Sequence, residues 1–146
     1  MGLDMYLNAN NYFWHGEQPT IIVNGKPFKA KEIRCEAAYW RKANAIHGWF
    51  VRNVQGGEDE CKPHDVPRTR LIELRDLCAS ILKARGNRRE TLINEKLPPT
   101  HGFFFGDTTN REYYLSDLKD TVEKLDAALK EYSEEDGWEF EYRSSW

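Results

Sequence analysis

The chain has 146 residues, a length that fits one domain able to bury a real core without disulfide staples. Hydrophobic residues make up 40% and charged residues 31%, a balance that excludes an intrinsically disordered chain. The formal net charge of -3 supplies no overall drive toward nucleic acid or anionic lipid, so neither sequence-specific nucleic-acid binding nor a membrane partner is expected.

The first element is Gly2–Asn8, where Leu3, Met5 and Leu7 alternate with Asp4 and Tyr6 in the manner of a half-buried strand. Residues 9–20 read as a loop broken by Asn10-Asn11, Gly16 and Pro19, with Tyr12, Phe13 and Trp14 as anchors. Asn24-Gly25 then marks a tight hairpin between extended stretches at Thr20–Val23 and Phe28–Arg34. A helix is predicted over Glu36–Val54. At about 100° per residue, Tyr39, Ala43, Ile46, Phe50 and Val54 share one core-facing arc. Trp40, Asn44, His47 and Val51 form a second stripe beside that arc, with Arg41 and Arg52 beyond it. Trp49 lies about 180° round the wheel from Trp40, where it is either covered by another element or exposed to a partner.

Gly56-Gly57 ends this helix, and Glu58–Val66 reads as a polar loop. Asp65 and Pro67 open a second helix reaching about Ala84, with Leu71, Leu74, Cys78, Ile81 and Leu82 inward. Arg88–Leu97 holds a further turn or two. The segment His101–Asp107 carries three phenylalanines between glycines, fitting a short buried strand or an aromatic loop on the core. Leu115, Leu118, Val122, Leu125, Leu129 and Tyr132 recur at spacings of three and four and give the last helix. Beyond Gly137, Trp138, Phe140 and Tyr142 alternate with charged residues as a final strand. The expected fold is one α+β domain over residues 1–146: a small antiparallel or mixed sheet with about three helices mainly on one face. Pairing of the first and last strands would bring Asp4 and Tyr6 near Ser144–Trp146.

Cys35, Cys61 and Cys78 form no CxxC pair, which favours a reducing compartment over a disulfide framework. No run approaches the roughly 18 apolar residues of a membrane span, so a cytoplasmic location is expected. Phosphate-loop, dinucleotide-binding, nucleophile-elbow and HExxH motifs are missing, and nothing calls for a cofactor. Cys61 and His64 supply two ligands with no second pair of matching spacing, so no metal site is expected. His47 is the best acid–base candidate, being titratable near neutrality with Asn44 one turn away. Binding has the stronger case. Trp40 offers a stacking face, Arg41 and Arg52 anion forks, and Asn44 and His47 directional hydrogen bonds; Tyr6 and Trp146 are candidate neighbours.

The opening MGLDMYL, the YWRKANAIHGWFV block at Tyr39–Val51, the GFFFG segment at Gly102–Gly106 and the closing SSW together resemble an uncharacterised family of small tailed-bacteriophage and prophage proteins. The resemblance spans the chain, with the hairpin and middle loops its looser parts. It implies a phage origin and the cytoplasm of an infected bacterial host, and no particular activity. By association with small phage accessory proteins, it points to interference with host defence. Three expectations result. The first is a non-enzymatic protein binding a small anionic, nucleotide-like ligand beside Trp40, Asn44 and His47, with Arg41 and Arg52 meeting the charge. The second is an inhibitor or adaptor acting on a bacterial host protein through exposed aromatics such as Trp49. The third is a small hydrolase or transferase using His47. Oligomeric state is left open.

Overall fold

A computed structural model describes residues 2–146. The chain runs β1 (Asp4–Tyr12), β2 (Thr20–Val23), β3 (Lys26–Lys29), β4 (Glu32–Arg41), α1 (Asn44–Asn53), β5 (His64–Val66), α2 (Arg68–Lys83), α3 (Gly86–Lys96), α4 (Arg111–Glu131) and β6 (Glu139–Ser145). The fold is α+β, with every strand pair antiparallel. The main sheet has the order β4-β1-β6-β5, and β2-β3 forms a separate ribbon. Among the described residues no helix is long and apolar enough to cross a membrane.

β1 is an inner strand of this sheet and runs through residues 9–12, which were expected to be loop. Asn10 and Asn11 continue the strand because their side chains are bonded to Arg34 and to the Asp136 carbonyl. Leu3, Met5, Leu7 and Ala9 are fully buried on the face toward the helices, while Asp4, Tyr6 and Asn8 lie half-buried on the other. β6 pairs with β1 as expected from its own alternation, placing Asp4 opposite Ser145 and Tyr6 opposite Arg143. The inward residues of β6 are Phe140, Tyr142 and Ser144. α2 and α4 each bury one apolar stripe, led by Leu71, Leu74, Cys78 and Ile81 and by Leu118 and Leu125. α4 is capped by the Asn110 side chain, which accepts a hydrogen bond from the Tyr113 backbone N–H. The two turns expected after Arg88 prove to be the 11-residue α3, a fourth helix. The polar loop before α2 contains the short edge strand β5.

The long helix over Glu36–Val54 is corrected. Its first part is β4, and the helix proper begins at Asn44. The physical reason is a β-bulge. Leu7 faces Ala38 and Asn8 faces Glu36, so Ala37 is an extra residue in β4. That insertion breaks the period of two, and the remaining apolar positions imitate spacings of three and four. Lys42 then turns the chain in the left-handed region at φ 56°, with its backbone N–H donating to the Leu3 carbonyl at 2.7 Å.

The correction moves Trp40 from a helix shoulder to the inner face of the sheet. It is 2% exposed, its ring is near Phe50, and its Nε1–H donates to Thr121 Oγ1 at 2.9 Å. Thr121 in turn donates to the Asp117 carbonyl, which satisfies the pair. Trp40→Ala is expected to lower unfolding free energy by about 3–5 kcal/mol, the usual loss for a buried large aromatic. Urea unfolding followed by circular dichroism measures it; a loss below about 1 kcal/mol would contradict this burial.

Candidate functional site

α1 is buried all round over Asn44–Phe50, so its two-sided helical reading is also corrected. The Asn44 side chain joins this helix to the loop after α3. Its Nδ2 donates to the Phe105 and Asp107 carbonyls at 3.3 and 3.1 Å, and its Oδ1 accepts from the Thr100 backbone N–H at 3.1 Å. Those bonds leave Asn44 no role toward a ligand. Trp49 is buried beside Phe50, not exposed for a partner.

His47 is fully buried, with both ring nitrogens engaged. Nε2 lies 3.0 Å from Asp59 Oδ1 and Nδ1 lies 2.6 Å from the Tyr142 hydroxyl. One charge-neutral arrangement satisfies both. Nε2–H donates to the Asp59 carboxylate, and Nδ1 accepts the Tyr142 O–H. Burial holds the Tyr142 phenol well above its usual range, so it keeps its proton. Burial also lowers the His47 pKa, outweighing the opposing pull of Asp59. A histidine with no free nitrogen and no exposed atom is a positioning group here, which removes it as the acid–base residue and as a direct ligand contact.

What it positions is Asp59. The same Oδ1 atom accepts a second hydrogen bond, at 3.1 Å, from Trp146 Nε1. Asp59 and Trp146 line an open recess of about 300 Å³ together with Arg52, His101, Phe103 and Phe105. That volume sits at the lower end of the roughly 300–1,000 Å³ typical of small-molecule sites. Phe105 is buried and meets both the His47 ring and the Trp146 ring edge-on. Phe103 is 80% exposed and Trp146 47%, so both rings reach solvent. Arg52 has no ion pair or hydrogen bond among the described residues, and partial burial lowers its pKa without threatening its charge.

Gly48 explains how the recess fits against α1. A Cβ at that position would lie 2.0 Å from Thr100 Oγ1 and 3.1 Å from the Arg52 guanidinium. A mid-helix glycine costs about 1 kcal/mol relative to alanine, and here it makes room for both side chains.

Comparison of the chain with protein families, with curated proteins and with solved structures gave no match.

Of the sequence-predicted ligand residues, the recess gathers only Arg52 and Trp146. Arg41 and Tyr6 lie on the sheet's outer face. Arg41 pairs with Asp4 Oδ1 at 3.0 Å, and Tyr6 packs against Tyr39. The Tyr39 hydroxyl and the Arg41 guanidinium both hold the Asp4 carboxyl below its ordinary pKa. Sequence reasoning missed Asp59, His101, Phe103 and Phe105 as site residues. The three phenylalanines between glycines were the available signal for the last two. Asp59, one acid among three in a row, gave none. Among the described residues, no three His, Cys, Asp or Glu side chains converge as a metal site would need.

A histidine kept neutral in the fold binds protons more readily when unfolded. Stability therefore falls as pH drops below the ordinary histidine value of 6.5 and the unfolded chain takes up its proton. His47→Gln, which keeps one donor and one acceptor, is expected to flatten the stability–pH slope just below 6.5, measured by urea unfolding at stepped pH. An unchanged slope would refute the neutral assignment. Gly48→Ala should lower the thermal midpoint despite alanine's better helix propensity; a raised midpoint would show that Thr100 and Arg52 move aside freely.

Proposed function

We propose that this chain is a non-enzymatic binding protein that holds a small, planar, anionic ligand of nucleotide type in the Arg52–Trp146 recess. The observation that carries this reading is a cationic guanidinium without a partner among the described residues, set in a recess walled by the exposed rings of Phe103 and Trp146. Arginine supplies a fork for phosphate or carboxylate, and an aromatic face stacks on a flat ring. Asp59 adds an acceptor: Oδ1 is used by His47 and Trp146, which leaves Oδ2 for an N–H of a base. A larger recess of about 410 Å³ fits an anion less well: it is lined by Asp65, Glu134 and Glu139, and its Arg68 is committed to the Leu129 and Tyr132 carbonyls.

The likeness of the opening heptapeptide and the YWRKANAIH block to small tailed-phage proteins supports an accessory role during infection. Removal of a nucleotide messenger from a host defence is the step such binding would serve. A host protein in place of a small ligand is the second reading, favoured by the exposure of Phe103, Phe104 and Trp146 around Arg52, since aromatic and arginine residues dominate interface hot spots.

Mass spectrometry of the supernatant from denatured purified protein, followed by calorimetric titration of mono-, di- and cyclic nucleotides, tests the proposal. Arg52→Ala and Trp146→Ala are each expected to weaken binding about 10–100-fold, equivalent to about 1.5–3 kcal/mol for a lost charged hydrogen bond or stacked base. Arg41→Ala should leave affinity unchanged. No co-purified ligand and no heat with any nucleotide would overturn the small-ligand reading, and a single host protein captured through Arg52 and Phe103 would establish the second.

A further inference from the structure

The strongest unexplained feature lies away from this recess. Tyr12, Trp14, Ile21, Ile22, Val23 and Phe28 are all exposed, Trp14 by 78%. Among the described residues β2 and β3 pair only with each other, and every residue of both strands is exposed. Ile21 faces Phe28 and Ile22 faces Pro27 across the ribbon, at successive positions, so both of its faces are apolar. A two-stranded ribbon alone is marginal in water, and contiguous apolar surface on a folded protein marks a binding face.

Charge indicates what covers it. Residues 20–31 contain Lys26, Lys29 and Lys31 and no acidic residue. At the base of the ribbon, Tyr12, Phe13, Trp14 and Lys31 border a groove of about 570 Å³ whose other wall is Gly137 and Glu139. Those two residues also line the neighbouring groove of about 410 Å³. There, Val66, Trp138 and Phe140 supply apolar surface, and Asp65, Glu134 and Glu139 supply carboxylates. The one arginine lining it, Arg68, stacks on Phe140 and donates to backbone carbonyls rather than pairing with these carboxylates, which outnumber it three to one. Strand β5, which borders this groove, is paired only with β6. One continuous surface thus carries a basic apolar half beside an acidic apolar half.

A two-fold interface uses the same patch on both copies and requires that the patch complement itself. We propose that this face forms a homodimer in which the β2–β3 ribbon of each copy seats in the acidic groove of the other. Ile22, Val23 and Pro27 provide the apolar insert, and Lys26 and Lys29 meet Glu134 and Glu139. This inference is independent of ligand binding at Arg52.

Sedimentation velocity on the full chain, over a range of protein and salt concentrations, tests it. The expected result is a dimer that weakens as salt rises. Ile22→Asp should give a monomer with unchanged circular dichroism and a thermal midpoint that no longer rises with protein concentration, because that side chain touches solvent in the free chain. Lys26→Glu with Lys29→Glu should also give monomer, as should Glu134→Lys with Glu139→Lys. The chain carrying all four reversals should dimerise again. A wild-type monomer up to the solubility limit would overturn the proposal, even if a foreign acidic protein were found to bind the ribbon. So would a dimer indifferent to Ile22→Asp, or a fourfold variant that stays monomeric.

Discussion

A phenolic hydroxyl cannot be buried without a partner, and the way this protein satisfies Tyr142 organises much of what surrounds it. Tyr142 sits at the centre of β6, stacked face to face on Phe50 with centroids 3.9 Å apart. Its O–H leads to His47, His47 to Asp59, and Asp59 to Trp146. This chain of hydrogen bonds begins in the core and ends at the rim of the recess. Each link constrains the next: the Tyr142 O–H selects the His47 tautomer that carries its proton on Nε2, and the shared Asp59 Oδ1 ties the imidazole to the indole. Core packing and the shape of the recess are consequently one problem, and α1 must be buried on all sides to hold the imidazole between them.

The sheet separates two chemistries. Toward the helices it presents Met5, Leu7, Trp40, Phe140 and Tyr142; toward solvent it presents Asp4, Tyr39 and Arg41, closed into their own hydrogen-bonded group, with Tyr6 packed on the Tyr39 ring. An exposed arginine already paired with a carboxylate adds little stability and attracts an anion weakly. Arg52, at the recess, has no such partner among the described residues. The contrast between two arginines 11 positions apart is set by which face of the molecule each reaches, and composition carries no trace of it.

Regular patterns were legible in the sequence, and interrupted ones were not. α2, α4 and β6 each keep one period, and their positions follow from it. β1 alternates only as far as Ala9 and runs on to Tyr12. The Asn24-Gly25 turn was legible, although its second strand proved to be Lys26–Lys29 rather than Phe28–Arg34. β4 fails because Ala37 is a bulge residue, and Ala37-Ala38 within EAAYW imitates a helix that the chain does not form. The candidate stripe of Trp40, Asn44 and His47 depended on that imitated helix, so it dissolved into three different internal bonds. β5 is only three residues long, too short to show alternation. The recess residues come from α1, the loop after it, the segment following α3 and the chain end. Only the fold brings such distant pieces together, and a one-dimensional pattern cannot show it.

The five tryptophans divide along the same lines. Trp40 and Trp49 are sealed in the core, Trp138 lines the acidic groove, Trp14 stands beside the ribbon, and Trp146 sits at the recess. Each part of the molecule therefore carries its own intrinsic fluorophore. Quenching by a water-soluble agent should reach Trp14 and Trp146 while sparing the core pair, so events at the two surfaces can be followed optically without adding a label.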